Sequence, residues 1–298
     1  MIDRKALITN WFRNLQIETI QSLEKADGAI KFNTDPWQRP GGGGGVTRLA
    51  VNGDVIEKGG VNFSAVHGTT PEPIQRNFNT SSEGFFASGV SIVIHPINPF
   101  VPIIHMNVRY FELSDGQAWF GGGIDLTPAY VFEEDARFFH QSLKEVCEEF
   151  DLGYYSDYKH NADNYFFIPH RDETRGIGGI FYDRKEATTP KDFEHLWAFT
   201  QKVGMAFMEI YPTLIARRKN MPWGDLEKQW QLHRRSRYVE FNLVYDSGTK
   251  FGLETNGRTE SILMSMPPLA RWESFYEPTK GSKEAESQGC FVKGKNWI

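Results

Sequence analysis

Residues 89–128 hold the chain to one kind of architecture. In Val101–Glu112 the even positions Ile104, Met106, Val108 and Tyr110 are mostly apolar, while the odd positions include His105, Asn107 and Arg109. Side chains on a strand alternate between faces, so this run predicts a strand with one apolar and one polar side. Ser91–His95 is a second strand-like run, and Pro96, Pro99 and Pro102 mark the connection as a turn or loop. An antiparallel hairpin with His95 opposite His105 sets Ser91 opposite Arg109, and opposed residues share a face and nearly touch. One face then carries Ser91, His95, His105, Asn107 and Arg109. A polar outer face is also what any antiparallel sheet turned to water shows. The next stretch weighs against that plainer reading. Gly121-Gly122-Gly123 lets backbone approach a ligand closely and leads to Asp125. Thr127 and Pro128 read as the N-cap and first position of a helix, which holds Asp125 at a strand-to-helix junction beside the polar face.

The rest of the chain extends this sheet. Val46–Val51 and Val55–Glu57 flank the turn Asn52-Gly53-Asp54, and Gly60–His67 and Gln117–Gly123 are further strand candidates. Consecutive strands predict mainly antiparallel pairing and an α+β fold. Ala29–Asn33, Asn164–His170, Tyr238–Tyr245, Thr249–Leu253 and Ser261–Met266 also read as strands. Val239, Phe241, Leu243 and Tyr245 would give Tyr238–Tyr245 one apolar face. Apolar spacing predicts helices over 3–26, 128–150, 190–220 and 224–236, with Gly28 ending the first and Pro212 kinking the third. Residues 69–84 read as a loop. Gly41–Gly45 reads as a mobile surface loop or as a flap whose amides meet an anion, with Arg48 beside it. No Gly-Lys-Ser/Thr follows, so it is not a phosphate loop. Gly176–Asp183 lacks the third glycine of a dinucleotide fingerprint. No linker or repeat divides the chain, which predicts a single domain over 1–298 with a loose polar tail from about 277.

Composition narrows the function. Apolar residues make up 40% and aromatic residues 14%, enough for a large core. A net charge of -5 argues against general nucleic-acid binding. Cys147 and Cys290 form neither a disulfide framework nor a zinc pattern, which points to a reducing, cytoplasmic compartment. No run approaches the roughly 20 apolar residues of a membrane span. Arg109, Arg175 and Arg258 each accompany glycine-rich backbone, and the guanidinium fork suits carboxylates. With the aromatic content, three such arginines point to a polyanionic aromatic small molecule. Two other readings stay open. One is a metalloenzyme in which His95, His105, His140 and His170 converge near Asp125, although none has metal-motif spacing. His140 lies on or beside an apolar helix stripe, where a hydrogen-bonded core histidine is commoner than a ligand. The other is a non-catalytic module presenting its polar sheet face to a partner protein.

The chain resembles oxygen-dependent coproporphyrinogen-III oxidase over nearly its whole length. The resemblance rests on EKGGVNFSAVHG (57–68), GVSIVIHPINPFVPIIHMNVRYFE (89–112), WFGGGIDLTPAY (119–130), YFFIPHRDETRGIGGIFYD (165–183) and QWQLHRRSRYVEFNLVYDSGTKFGLETNGRTESILMSMPP (229–268). It implies a large antiparallel sheet covered by α-helices on both faces. It implies conversion of two propionates of coproporphyrinogen III to vinyl groups, giving protoporphyrinogen IX in haem biosynthesis. Molecular oxygen would be the co-substrate and the electron-rich macrocycle its reductant, with no organic cofactor. By motif, Ser91, Asn107, Val108, Arg109, Asn256, Gly257 and Arg258 correspond to substrate-binding positions. His105 corresponds to a proton donor, Asp125 to an aspartate engaging the pyrrole N–H groups, and Arg109 and Arg175 to holders of the reacting propionates. His95, His105, His140 and His170 correspond to ligands of a divalent metal such as manganese in some members. The region 235–270 corresponds to a homodimer contact. Two departures stand out: Asn256 where members often have glycine, and Arg184 where they often have a second acid after Asp183.

Overall fold

The alternation in the central hairpin decides where the helices go. The computed structural model describes residues 3–78, 80–254 and 257–298. Its strands are β1 (Asn33–Gln38), β2 (Gly43–Val51), β3 (Ile56–Thr69), β4 (Gly84–Pro96), β5 (Ile103–Leu113), β6 (Ala118–Thr127) and, later in the chain, β9 (Gly179–Glu186). Among the described residues these seven form one antiparallel sheet in the order β1-β2-β3-β4-β5-β6-β9. β7 (Phe167–Ile168) and β8 (Glu173–Thr174) form a separate short ribbon.

Ile92, Ile94, Ile104, Met106, Val108, Tyr110, Phe120 and Ile124 are fully buried on one sheet face. That face is covered by α1 (Arg4–Asp27) and α5 (Pro190–Arg218), with α3 (Glu133–Glu148) and α4 (Tyr154–Tyr165) at the β9 side. The polar face is roofed by α6 (Asp225–Val244), α7 (Ser247–Glu254), α8 (Thr259–Ile262) and a 3-10 turn at Leu263–Ser265. The α+β class with helices on both faces therefore holds.

Several local expectations are corrected. Ser91 faces Asn107, Gly89 faces Arg109 and Val93 faces His105, so the central hairpin is shifted by two residues. The shift is even, so every side chain keeps its face. Its cause lies in the connection. The Ile97 N–H donates to the Val55 carbonyl, and the Asn98 amide donates to carbonyls at the end of α5. β4 is thus drawn towards β3 and leaves the hairpin early. Gly43–Gly45 belong to β2 rather than to a flap, because a side chain at Gly44 or Gly45 would strike the Trp37 or Phe63 carbonyl at 2.2 Å. The 69–84 segment holds a short helix, α2 (Glu72–Phe78). Thr127 ends β6, and the following helix starts only at Glu133. Pro212 sits within a continuous α5.

Residues 154–165 are helical, leaving only Phe167–Ile168 as strand. Tyr238–Val244 continue α6, and 249–253 and 261–265 are helical too. The buried set Trp230, Gln231, Arg234, Arg235, Tyr238, Phe241 and Asn242 has helical spacing, with Arg234 and Arg235 buried against Glu173 and Glu57. The tail after Glu277 is anchored by α9 (Lys283–Gln288) and by the buried Phe291 and Trp297.

Candidate active site

One row of residues crosses the polar face strand by strand. Asp35, Thr47, Asn62, Ser91, Asn107, Gly123 and Phe181 are successive partners from β1 to β9. The neighbouring row brings Arg109 beside Gly89 and Gly121, and on the other side His105 beside Asp125 and Gly179. Glycine at 121 and 123 leaves the floor without side chains next to Arg109 and Asn107. A Cβ at Gly121 would meet Asp183 and Arg109 at 2.7–3.0 Å, and one at Gly179 would meet the Ile124 carbonyl at 2.0 Å. These close approaches are the physical reason for glycine here.

At the His105 end sits a buried ion pair. Asp125 is 1% and Arg175 2% exposed. Arg175 Nη2 donates to both Asp125 oxygens at 2.8 and 2.7 Å, and Nη1 donates to Asn242 Oδ1 at 2.7 Å. The guanidinium is also enclosed by the rings of Phe166, Tyr238 and Phe241. His105 Nδ1 lies 2.8 Å from Asp125 Oδ1. With Nδ1 committed to the carboxylate, Nε2 is the nitrogen of this partly exposed ring left for a ligand on the polar face. Burial favours the protonated carboxyl of Asp125, but Arg175 and His105 outweigh it and hold its pKa below the ordinary value. Burial likewise disfavours the Arg175 cation, and Asp125 overcomes this and raises its pKa.

The other cations are more open. Arg109 donates to Asn107 Oδ1 and to Asp183 Oδ1, both at 2.8 Å, with about a third of its side chain exposed at 36%. Arg258 reaches Thr47 and Ser261 and pairs with Asp35. Ser91, Asn107 and Arg109 thus share one face as expected. Asp125 is buried inside β6 rather than at a helix junction, and Arg175 is sealed against it instead of facing the cleft. The Val108 side chain points into the apolar layer, because it is one residue out of phase with Asn107. The Gly257 N–H donates to the Gly252 carbonyl at 2.8 Å. Asn256 lies outside the described residues.

The four histidines do not assemble. Among the described residues no group of three or more His, Cys, Asp or Glu side chains could hold a metal ion. Both ring nitrogens of His140 are engaged inside the core, by Tyr155 Oη and the Ile177 carbonyl at 3.0 Å. His170 bonds Tyr245 and Glu240 on α6, and His95 bonds the Ser265 carbonyl. His140 and His170 have both ring nitrogens committed at separate places, which leaves only His95 Nδ1 and His105 Nε2 among the four, too few for a shared metal.

Sequence reasoning missed Asn242, Tyr238 and Phe241, because their segment alternates like a strand. It also missed Asn62 and Thr47, whose place in the row depends on pairing across four strands. The family model described as coproporphyrinogen III oxidase matches residues 7–297, nearly the whole chain.

The buried histidines make stability depend on pH. Burial lowers the pKa of His95 well below its ordinary 6.5 and that of His140 to about 3. As pH falls below about 6.5 the unfolded chain takes up these protons and the folded chain does not, so stability declines. Asp125 adds a separate loss at lower pH, as its depressed folded pKa is approached. We expect the urea midpoint to fall between pH 7 and 5, with a shallower fall in His140→Gln. A flat midpoint over that range would contradict the neutral burial of both rings.

Proposed function

Because the chain belongs to the coproporphyrinogen III oxidase family and so is an oxidoreductase of haem biosynthesis, we propose that it performs the oxygen-dependent oxidative decarboxylation of coproporphyrinogen III to protoporphyrinogen IX. The observation that supports this reading is the donor row between Arg258 and Arg109, with His105 beside it. Arg258 bonds Thr47 on β2, and Arg109 stands on β5. Three strand spacings of ~4.8 Å separate them by roughly 14 Å, a span suited to a macrocycle with carboxylates at its rim.

Each propionate loses its carboxylate as carbon dioxide and gives up two electrons and one proton, leaving a vinyl group. Two such steps release four electrons and two protons. One oxygen molecule takes the four electrons and four protons to give two waters, so two further protons must be supplied. His105 Nε2 is the group placed to hold or deliver a proton at the substrate. Asp125 orients the ring through Nδ1, and Arg175 fixes Asp125. Arg109, Ser91 and Asn107 receive a carboxylate at one end, and Asn256, Gly257 and Arg258 receive another at the far end. The electrons come from the substrate, so no organic cofactor enters the scheme. Since His140 and His170 have both ring nitrogens committed to protein partners, we expect no resident metal in it either. Two unpaired cysteines fit a cytoplasmic setting, and among the described residues no helix is long and apolar enough to cross a membrane.

The direct assay follows carbon dioxide release and protoporphyrinogen formation from coproporphyrinogen III with and without oxygen, in chelator-treated protein. Turnover should require oxygen and survive chelation. Anaerobic turnover, or loss on chelation restored by one divalent ion, would overturn the corresponding part.

His105→Gln should keep the fold and lower kcat by ~10²–10⁴ with little change in KM, the usual range for a lost general acid or base. Asp125→Asn should also lose kcat, and in addition about 3–5 kcal/mol of stability, because Arg175 is left buried without its counter-charge. Near-normal kcat in folded His105→Gln would remove histidine from the proton path.

The homodimer no longer rests on a strand at 239–245. It is supported by Leu243, Val244 and Leu253, apolar and exposed on α6 and α7. A two-fold dimer would cover them with the same surface of a second copy. Sedimentation at micromolar concentration should show the dimer, and Leu243→Glu with Val244→Lys should dissociate it. A wild-type monomer would refute it.

A further inference from the structure

We propose that Asn62 is a further substrate-holding residue, whose amide N–H group receives a carboxylate shared with Arg258 at the β2–β3 end of the polar row. This rests on the function proposed above.

Asn62 is half-buried on β3, between Thr47 of β2 and Ser91 of β4. Its Oδ1 accepts from Thr47 Oγ1 at 2.9 Å. Thr47 itself is tied on three other sides, by Trp37 Nε1 at 3.2 Å, Ser261 Oγ at 2.7 Å and Arg258 Nη1 at 3.3 Å. The Asn62 amide is therefore oriented by a fixed neighbour, with its oxygen engaged and its NH₂ group turned away from Thr47. Among the described residues that NH₂ group has no acceptor. Asn62 Nδ2 is not one of the buried polar atoms left without a partner, so its two N–H groups stay open on the polar face for a ligand.

The chemistry of the missing acceptor follows. An amide N–H can meet only an acceptor. A porphyrinogen presents N–H donors at its centre and carboxylate oxygens at its rim, so Asn62 meets the rim. The Arg258 guanidinium is joined to the same Thr47, which places charge and amide donor on one carboxylate, as in charge-assisted pairs. Asp35, the present partner of Arg258, is half-buried and belongs to the same row. An incoming carboxylate would share or replace it without leaving a cation unpaired. This end lies three strands from Arg109, so Asn62 sets the position of a carboxylate distant from His105.

Asn62→Ala deletes the donor. Asn62→Asp keeps the shape and the bond from Thr47 but sets a negative charge against the carboxylate. Dissociation constants for oxidised coproporphyrin III, which binds without turnover, are read from quenching of tryptophan fluorescence. KM and kcat are read with coproporphyrinogen III, and folding by thermal midpoint. Losing a hydrogen bond to a charged group predicts about a tenfold weaker Kd and KM in Asn62→Ala, and a distinctly larger loss in Asn62→Asp, with kcat within about threefold. Binding unchanged in both variants overturns the inference while leaving the function standing. Asp no worse than Ala overturns the carboxylate, since a nearby anion must feel the charge. A fall in kcat with a lowered thermal midpoint and unchanged KM overturns it in favour of a structural role. If wild-type protein neither binds coproporphyrin nor converts coproporphyrinogen, the proposed function fails and this inference with it.

Discussion

The structure turns on the buried pair between Asp125 and Arg175. Burying two charges costs more than their attraction returns unless every remaining lone pair and proton is met. Here the carboxylate takes Arg175 on both oxygens and His105 on one. The guanidinium takes Asn242 and three aromatic faces, leaving only its Nε without a partner. The partners come from β5, β6, the segment before β9, and α6. Four parts of the chain distant in sequence must therefore reach one arrangement before the charges are compensated. That requirement fixes how α6 lies on the sheet, and with it the roof over the polar face.

The pair also explains why His105 is the exposed member of the group. Asp125 is almost wholly buried, so in the proposed reaction it would act on substrate only through the imidazole it orients. A carboxylate held ionised by a buried cation keeps the Nδ1–H bond and leaves Nε2 for a ligand, the logic by which a buried acid steers a histidine. Along the same face Gly121, Gly123 and Gly179 keep side chains off the floor beside Arg109, Asn107 and Asp125.

Much of this was legible in the sequence wherever local periodicity decided the outcome. The face carrying Ser91, His105, Asn107 and Arg109 was correct because alternation survives an even shift of register. The register itself was not, because Asn98 and Ile97 bond to α5 and β3, partners that no local pattern names. Tyr238–Tyr245 was misread for a different reason. Its charged neighbours Arg234 and Arg235 are buried against Glu173 and Glu57, so the helical stripe contains cations that look like surface. Gly43–Gly45 failed in the opposite direction: five glycines suggested mobility, whereas crowding by Trp37 and Phe63 made glycine the residue that fits. The buried role of Asp125 could not be seen without knowing that Arg175 would arrive beside it.

The resemblance assigned Arg109 and Arg175 the same task, and their surroundings separate them. Arg175 is sealed, and drawing it to a ligand would strand Asp125 in the core at a cost of several kcal/mol. Arg109 is paired with Asp183 at the surface, where such pairs are worth about 0–1 kcal/mol. A ligand carboxylate replacing Asp183 exchanges one anion for another and leaves the released aspartate in water. The same holds at Arg258 and Asp35. Each end of the row is thus a cation held by an acid that can be displaced, so the cleft keeps its arginines ordered without committing them.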